Sequence, residues 1–411
     1  MAEKLLIIGN GMSSVRLCEE LAIQAPGRFK TTVVGAEPQP GYNRVLLSAL
    51  LAGDIGEKDV ALRSADWYRE RGIRLVTGKR VERLDLGGRG AHLADGGRIG
   101  FDRVVLATGS SAARLRAPGM SLPGVMTFRD VADLPALREA AHRQSRVAVI
   151  GGGLLGIEAA YGLAKRGAKV TLVHVMDRLM ERQLDRRAAA FLKRAIERKG
   201  IRVLLNAQTS EVLGSERAEA LAFADGSLLP VDLVVVAVGV KANVELAQAA
   251  DIPVDRGVIV DDALTTIVPF VHAIGECAEH RGAVYGLVEP AYEQARVLAR
   301  RLGGDRGAAY EGTAIATNLK VSGIPVFSAG DFVGEEGTDE IVLEDRGAGL
   351  CKKLVLKDDK LVGAVLVGAT EDGIWYRDLI SKAMDVSEIR SGLIFGREFC
   401  ESAGAPLREA A

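Results

Sequence analysis

The chain has 411 residues, with 53 lysines and arginines against 54 aspartates and glutamates and a formal net charge of −1. That balance provides no bulk attraction to nucleic acid or to an anionic membrane surface, so neither is expected as a partner. The length exceeds one ordinary hydrophobic core and implies two or three domains; no apolar run approaches a bilayer span, and the first strand follows Met1-Ala2-Glu3 with no room for a signal peptide, so a cytoplasmic location is expected.

The first element is Lys4-Leu5-Leu6-Ile7-Ile8, a short buried strand that turns at Gly9-Asn10-Gly11 and opens into a helix through Met12-Ser13-Ser14-Val15. Strand, glycine turn and helix in this order make a dinucleotide seat: Gly9 permits the turn, Gly11 lets backbone approach a pyrophosphate, and the helix N-terminus offers unpaired N–H groups and positive dipole. The third glycine of the pattern is replaced by Ser14, small enough for close helix–strand packing. A second strand, Lys30 to Val34, is followed by Glu37, placed to accept hydrogen bonds from an adenosine ribose.

Gly41-Tyr42-Asn43-Arg44-Val45-Leu46-Leu47-Ser48 comes next, then polar helical turns to Gly72, strands through Val76 and Val81, and a hairpin at Asp95-Gly96-Gly97. The module closes on the buried strand Arg103-Val104-Val105-Leu106, which ends in the turn Ala107-Thr108-Gly109-Ser110. Pro118, Pro123 and Pro135 mark a linker and the entry to a second module.

That module repeats the plan. Arg146 to Ile150 runs into Gly151-Gly152-Gly153-Leu154-Leu155-Gly156, with every glycine of the fingerprint present and Glu158 just inside the helix. The following strand, Lys169 to Val173, ends on His174, a candidate nucleotide contact where an acid ordinarily holds an NAD ribose, although a histidine at such a strand end more commonly faces solvent. Asp177 could substitute for the acid, whereas Arg178 and Arg182 could neutralise a 2′-phosphate, so NADH and NADPH both stay open. NADH is favoured because no arginine immediately follows the strand. Leu233 to Val238, ending at Gly239, is the counterpart of the strand closing the first module. Two dinucleotides in one chain imply FAD and a nicotinamide, with electrons passing between them.

The four cysteines, Cys18, Cys277, Cys351 and Cys400, are scattered without a Cys-x-x-Cys or Cys-x4-Cys pair, which disfavours a thiol relay or an iron–sulfur cluster. Cys18 and Cys277 read as packing residues; Cys400, near the tail, has no assignable role.

These motifs together resemble the flavin- and nicotinamide-dependent reductases of the glutathione-reductase superfold. The resemblance implies an α/β fold of two Rossmann-like nucleotide-binding domains, the NAD(P) domain inserted in the FAD domain, plus a small α+β C-terminal domain. The boundaries expected are 1–115 and 243–310 for FAD, 116–242 for NAD(P) and 311–411 for the last domain. The return to the flavin domain is legible in Val260 to Thr266 and Val271-His272-Ala273-Ile274-Gly275-Glu276-Cys277. Relatives carry an aspartate after that glycine, to hold the flavin ribityl chain; Glu276 departs by one methylene. Gly-Glu-Cys, Tyr42 to Ser48, His174 with Met176-Asp177-Arg178-Leu179-Met180-Glu181, and Pro290-Ala291-Tyr292-Glu293-Gln294-Ala295 are similar to the flavin region of the assimilatory NAD(P)H nitrite reductase large subunit and to the assimilatory nitrate reductase electron-transfer subunit. The likeness runs to about Gly368, while those proteins continue into cluster- and sirohaem-binding regions. It therefore implies electron delivery to a separate redox protein: a nitrate or nitrite reductase catalytic subunit, rubredoxin or ferredoxin.

By the same resemblance Arg44 lies near the flavin or its pyrophosphate, Glu158 near the nicotinamide carboxamide, and Ala107, Thr108, Gly109, Gly239 and Gly275 line the nucleotides. A helix opening around Pro290 turns its positive end toward the flavin pyrimidine edge. Hydride transfer needs alignment more than side-chain chemistry. Two alternatives stay open: an NADH-dependent rubredoxin or ferredoxin reductase, and a flavin-dependent sensor or scaffold without rapid turnover.

The last hundred residues contain a hairpin, Lys352 to Gly368, turning at Asp358-Asp359, then a helix through Trp375, Leu379 and Met384. This cap offers a dimer or docking surface. Trp375 and Tyr376 read as core or interface residues, and the Lys352-Lys353 pair as a solvated strand face.

Overall fold

The computed structural model describes residues 2–142, 144–313 and 316–402. They form two compact units: the described residues of 2–50, 55–112 and 240–313 make the first, and those of 51–54, 113–239 and beyond 313 make the second. In chain order the strands of the two parallel sheets are β1 (Glu3–Ile8), β2 (Phe29–Val34), β3 (Arg74–Val76), β4 (Arg103–Leu106), β5 (Val125–Thr127), β6 (Arg146–Ile150), β7 (Lys169–Val173), β8 (Arg202–Leu204), β9 (Leu233–Val236) and β10 (Val271–Ala273). The first sheet has the order β10-β4-β1-β2-β3 and the second β5-β9-β6-β7-β8.

Both sheets are centred on the strand that leads into a glycine loop. β1 pairs in parallel with β2 from Glu3 opposite Phe29 to Ile8 opposite Val34, and with β4 from Leu5 opposite Arg103 to Ile8 opposite Leu106. β6 sits the same way between β7 and β9. Helices and strands cover both faces of such sheets, which is why Leu5, Leu6, Ile7 and Val147, Ala148, Val149 are apolar on consecutive residues and almost wholly buried.

The sheets differ in where the outermost strand comes from. In the second unit β5 precedes its module, whereas in the first β10 arrives only after the chain has built the second parallel sheet and returned. The first sheet is thus completed by sequence about 165 residues beyond β4, the count from Leu106 to Val271. One nucleotide-binding domain is inserted in the other. The crossing segments pair with each other, Ser110–Ala112 antiparallel to Val240–Ala242. Pro135 lies in the first turn of the helix Asp133–Ala140, where the missing N–H costs nothing.

The C-terminal region is a five-stranded antiparallel sheet of β11 (Ala316–Val321), β12 (Ile324–Gly330), β13 (Asp339–Asp345), β14 (Leu350–Lys357) and β15 (Lys360–Val367), in the order β11-β12-β15-β14-β13. Asp358 and Asp359 join β14 to β15 with φ of 48° and 54°, the left-handed pair that a two-residue hairpin needs. Tyr376 is fully buried with its hydroxyl donating to the Leu393 carbonyl oxygen at 2.7 Å, and Cys400 belongs to the same core. Residues 403–411 of the expected last domain lie outside the described residues.

The Lys352-Lys353 pair overturns its reading as a solvated face. Lys352 is 8% and Lys353 3% exposed. Lys352 Nζ lies 3.2 Å from an Asp372 carboxylate, and Lys353 Nζ lies 2.6 Å from Glu340 and 3.3 Å from Asp185 while donating to the Val333 carbonyl oxygen. Three carboxylates and a carbonyl offset the desolvation that burial imposes on the two ammonium groups.

Candidate functional site

Each unit carries a glycine loop that is a candidate nucleotide site. In the first, Gly9 has φ of 107° and a β-carbon there would lie 2.1 Å from the Ala107 carbonyl oxygen, so the closing turn of β4 abuts the loop. Gly11 caps α1 (Met12–Gln24) without any side-chain hydrogen bond, and the first turn holds no acidic residue. A β-carbon on Gly11 would meet nothing within 4 Å. The helix N-terminus therefore presents unsatisfied N–H groups and an uncompensated positive dipole end to open space, a fit for a pyrophosphate.

Ser14 is fully buried, and its hydroxyl donates to the Gly9 carbonyl oxygen at 2.8 Å. The serine thus pins the loop it was expected only to tolerate. Glu37 accepts from Tyr42 Oη at 2.8 Å and Gln39 Nε2 at 3.1 Å and forms an ion pair with Arg44, whose guanidinium also lies 5.1 Å from the Tyr42 ring centre. Glu37 and Arg44, predicted for ribose and pyrophosphate, are brought together at the edge of one cradle.

Around the closing turn, Thr108 Oγ1 donates to the Asn243 carbonyl oxygen at 2.8 Å, and Asn243 Nδ2 donates back to the Thr108 carbonyl oxygen at 2.8 Å. Gly109 has φ of 65°. Glu276 is reached from the other side: Ser110 Oγ donates to its carboxylate at 2.6 Å. Gly275 has φ of 78°, and a β-carbon there would fall 2.6 Å from Ser13 Oγ. Its N–H donates to Gln294 Oε1 at 2.7 Å, while Gln294 Nε2, on a side chain 1% exposed, has no partner. Pro290 is buried in the first turn of α4 (Val288–Gly303), whose N-terminus at Leu287 also lacks a side-chain cap. Asn10 adds a second buried amide nitrogen without a partner, its Oδ1 being held by Tyr68 Oη at 2.9 Å. Unsatisfied buried donors beside an open cradle match a polar ligand.

In the second unit, Gly151 has φ of 124°, and a β-carbon would lie 2.2 Å from the Ala237 carbonyl oxygen, reproducing the contact of Gly9 with Ala107. Gly153 caps α2 (Leu154–Lys165), again with no side-chain cap, no acid in the first turn and nothing within 4 Å of a built β-carbon. At Gly156 a β-carbon would sit 1.8 Å from the Gly151 carbonyl oxygen. Gly239 has φ of 113°.

His174 is not solvent-facing. It is 7% exposed, and its Nδ1 accepts from the Gly152 N–H at 3.0 Å. With Nδ1 accepting, Nε2 carries the proton and donates to Glu181 at 3.1 Å. A carboxylate is thereby held at the strand end, supplied by a loop seven residues downstream. Asp177 is instead neutralised by Arg178 at 2.9 Å and, at 2.6 Å, by Arg186, the first residue of α3 (Arg186–Arg198). Glu158 Oε1 accepts from the Ser322 N–H at 2.6 Å, in the turn between β11 and β12. All four cysteines are free and buried. Burial pushes the Cys18 and Cys351 thiols up to about 12 and also raises those of Cys277 and Cys400, which keeps thiolate chemistry out of reach.

Residues 3–295 match the family model for pyridine nucleotide-disulphide oxidoreductase. The chain belongs to that family. Membership makes it an oxidoreductase with FAD and NAD(P) as cofactors. Residues 316–384 of this oxidoreductase match the rubredoxin NAD+ reductase C-terminal domain. It is 45% identical to a nitrite reductase [NAD(P)H] of Bacillus subtilis over 94% of its own length and 48% of that protein's. It is 41% identical to the assimilatory nitrate reductase electron transfer subunit of the same organism, over 95% and 51%. The chain thus spans about half the length of these curated relatives. Among solved structures, the ferredoxin reductase for the CYP199A2 system from Rhodopseudomonas palustris is 28% identical with a TM-score of 0.86, covering 98% of this chain and all of that one.

Sequence reasoning missed Asn10, Ser13, Asn243 and Glu181 as neighbours of the cradles. Ser13 and Asn243 are brought to Gly275 and Thr108 only by folding. Asn10 sat inside the first glycine turn, and Glu181 in the stretch after His174, but neither has a spacing that announces a partner.

Proposed function

We propose that this oxidoreductase is an FAD-containing NAD(P)H reductase, the electron-transfer component that delivers electrons to a separate redox protein in nitrate or nitrite assimilation. The observation that carries the reading is the pair of open, uncapped glycine cradles in a chain whose cysteines are all buried and dispersed. The first cradle holds FAD and the second the nicotinamide nucleotide. Bound there, FAD would supply the two-electron chemistry: acceptance of a hydride from NAD(P)H and passage of its two electrons to an acceptor, with the proton released to solvent.

The protein's part is placement. Gly9, Gly11 and Ser14 shape the flavin pyrophosphate seat; Glu37 meets the ribose while Arg44 offsets its charge; Ala107, Thr108 and Gly109 form the wall; Gly275 and Glu276 hold the ribityl side, and the α4 N-terminus at Pro290 faces the negative edge. Gly151, Gly153 and Gly156 seat the second pyrophosphate, Gly239 closes its turn, Glu158 orients the carboxamide, and His174 presents Glu181 to the ribose. That carboxylate favours NADH, because it would repel a 2′-phosphate.

The match to the rubredoxin reductase C-terminal model supports a second reading, an NADH-dependent rubredoxin or ferredoxin reductase. Either protein works in the cytoplasm, with the C-terminal sheet as a docking or homodimer surface. Anaerobic stopped-flow mixing of the FAD-loaded protein with NADH and with NADPH tests the proposal. Rapid bleaching of the flavin band, then reoxidation by a nitrite reductase catalytic subunit, rubredoxin or ferredoxin, supports the reductase and names its acceptor. A flavin that both donors leave oxidised overturns it in favour of a sensor or scaffold.

A further inference from the structure

A cavity of about 290 Å3 opens in the first unit, lined by Arg28, Arg103, Arg301 and Arg306 together with Asp261 and His272. Arg103 and His272 stand at the starts of the parallel strands β4 and β10, whereas the flavin turns Ala107–Gly109 and Gly275–Glu276 follow the ends of the same strands. The cavity therefore lies at the opposite end of these strands from the proposed flavin seat.

We propose that this cavity is a binding site for a small phosphate-bearing anion, separate from both nucleotide cradles. Each arginine whose contacts are defined spends only part of its donor set. Arg28 Nη1 donates to the Gly303 carbonyl oxygen at 3.1 Å, Arg301 Nη1 to the Arg306 carbonyl oxygen, and Arg103 Nε to Glu3 at 2.8 Å. A guanidinium has five N–H donors, so these bonds anchor the groups and leave a fork on each for an oxyanion. The single acid of the lining is turned away from this role: Asp261 Oδ1 accepts from the backbone N–H groups of Ala263 and Thr265, both at 2.9 Å.

Arginines gathered at the C-terminus of α4 could serve only the helix dipole. That accounts for Arg301, and for Arg28 on the Gly303 carbonyl, but not for Arg103 on a strand of the sheet. Nor does it account for His272, which is 4% exposed and lines the cavity: Thr265 Oγ1 donates to the Ala263 carbonyl oxygen at 3.3 Å and so accepts from Nδ1 at 3.1 Å, which leaves Nε2 a buried acceptor without a partner, suited to a hydroxyl of hydrogen phosphate or of a sugar phosphate. A buried polar atom left unsatisfied beside a ring of cations is accounted for by a ligand. Burial, then the charges of Arg103 and Arg301, hold His272 down at about 4, which reports the same positive field. Four guanidinium groups against Asp261 and the Glu3 partner of Arg103 leave two positive charges in excess, matched to a phosphate dianion.

The test is titration of the full-length, FAD-loaded protein with inorganic phosphate, pyrophosphate and ribose 5-phosphate, at constant ionic strength set by chloride, read by calorimetry and by thermal unfolding. Saturable binding of one anion per chain is expected, weakened roughly tenfold or more in Arg28→Gln and Arg301→Gln and retained in Arg390→Gln, a half-exposed arginine of the other unit. Arg301→Lys keeps a charge on the same helix and should retain part of the affinity, which separates loss of the site from loss of folding. The three anions distinguish free phosphate from a phosphorylated metabolite as the occupant. Binding that Arg28→Gln and Arg301→Gln leave intact, or stabilisation that chloride reproduces, overturns the proposal.

Discussion

His174 Nδ1 and the Gly152 N–H are joined by a hydrogen bond of 3.0 Å, which ties the end of β7 to the middle of the second glycine loop. The contact accounts for the glycine. A β-carbon at position 152 would fall 2.5 Å from the imidazole Cγ and 2.8 Å from Leu179 Cδ2. Gly152→Ala should therefore displace His174, weaken NADH binding roughly tenfold or more and lower stability by about 1–3 kcal/mol, read by fluorescence titration and denaturant unfolding. An alanine variant that binds NADH normally would mean that the ring has no part in shaping the loop.

On the proposed reading, the Glu181 carboxylate held by Nε2 of the same ring favours NADH over NADPH. Removing the charge with Glu181→Gln should narrow the ratio of NADPH to NADH dissociation constants by roughly tenfold, mostly through tighter NADPH binding. The measurement is equilibrium titration with the two nucleotides, independent of turnover. An unchanged ratio would place the ribose away from Glu181.

The two glycine loops differ at their third position, and the difference has opposite consequences. Gly156→Ala drives a β-carbon to 1.8 Å from the Gly151 carbonyl oxygen, a backbone atom that cannot swing aside. Loss of the second nucleotide seat is expected, with destabilisation of about 3 kcal/mol or more. Ser14→Gly removes only a hydroxyl bond to the Gly9 carbonyl oxygen and should cost about 1 kcal/mol with FAD retained. Chemical denaturation of both variants, with flavin content from the absorbance spectrum, checks the contrast.

Glu276 and Ser110 are joined at 2.6 Å across the first unit. If that pair holds the ribityl side of the flavin, Glu276→Ala should release FAD on dilution at least roughly tenfold faster than the parent, while Glu276→Asp keeps part of the retention. Flavin fluorescence regained on dissociation gives the rate; an alanine variant that retains FAD as the parent does would remove Glu276 from the site.

His272 is expected to make the first unit acid-sensitive. Desolvation, then the charges of Arg103 and Arg301, depress its folded value from 6.5 to about 4, so the unfolded chain takes up a proton that the folded chain refuses. Stability is complete above about pH 6.5 and falls as the pH drops toward 4, by about 3 kcal/mol at the lower limit. Unfolding in phosphate-free buffer across that range should show the loss, and His272→Gln should flatten the slope. An identical slope in the variant would assign the acid sensitivity to other groups.

Much of the site was legible as pattern. Apolar strands running into Gly9-Asn10-Gly11 and Gly151-Gly152-Gly153 disclose two nucleotide modules because a parallel strand is buried on both faces and only glycine tolerates the turn behind it. The Asp358-Asp359 hairpin was readable for the same local reason. Lys352 and Lys353 misled, since two lysines on a strand ordinarily find water, and the carboxylates that accept them come from positions 185, 340 and 372. His174 misled likewise, its partner being a backbone N–H twenty-two residues earlier.

The sequence by itself determined the doubled α/β plan, the expectation of FAD and a nicotinamide, and the lack of a paired-cysteine motif, because each rests on residues within a few positions of one another, where chain geometry is fixed by φ, ψ and strand burial. Only the tertiary structure decided that Arg44 neutralises Glu37, that His174 holds the Glu181 carboxylate at the strand end, and that four arginines from three segments meet around His272. Those relationships join side chains across long sequence separations, and the packing that makes them neighbours leaves no period or spacing in the chain to read.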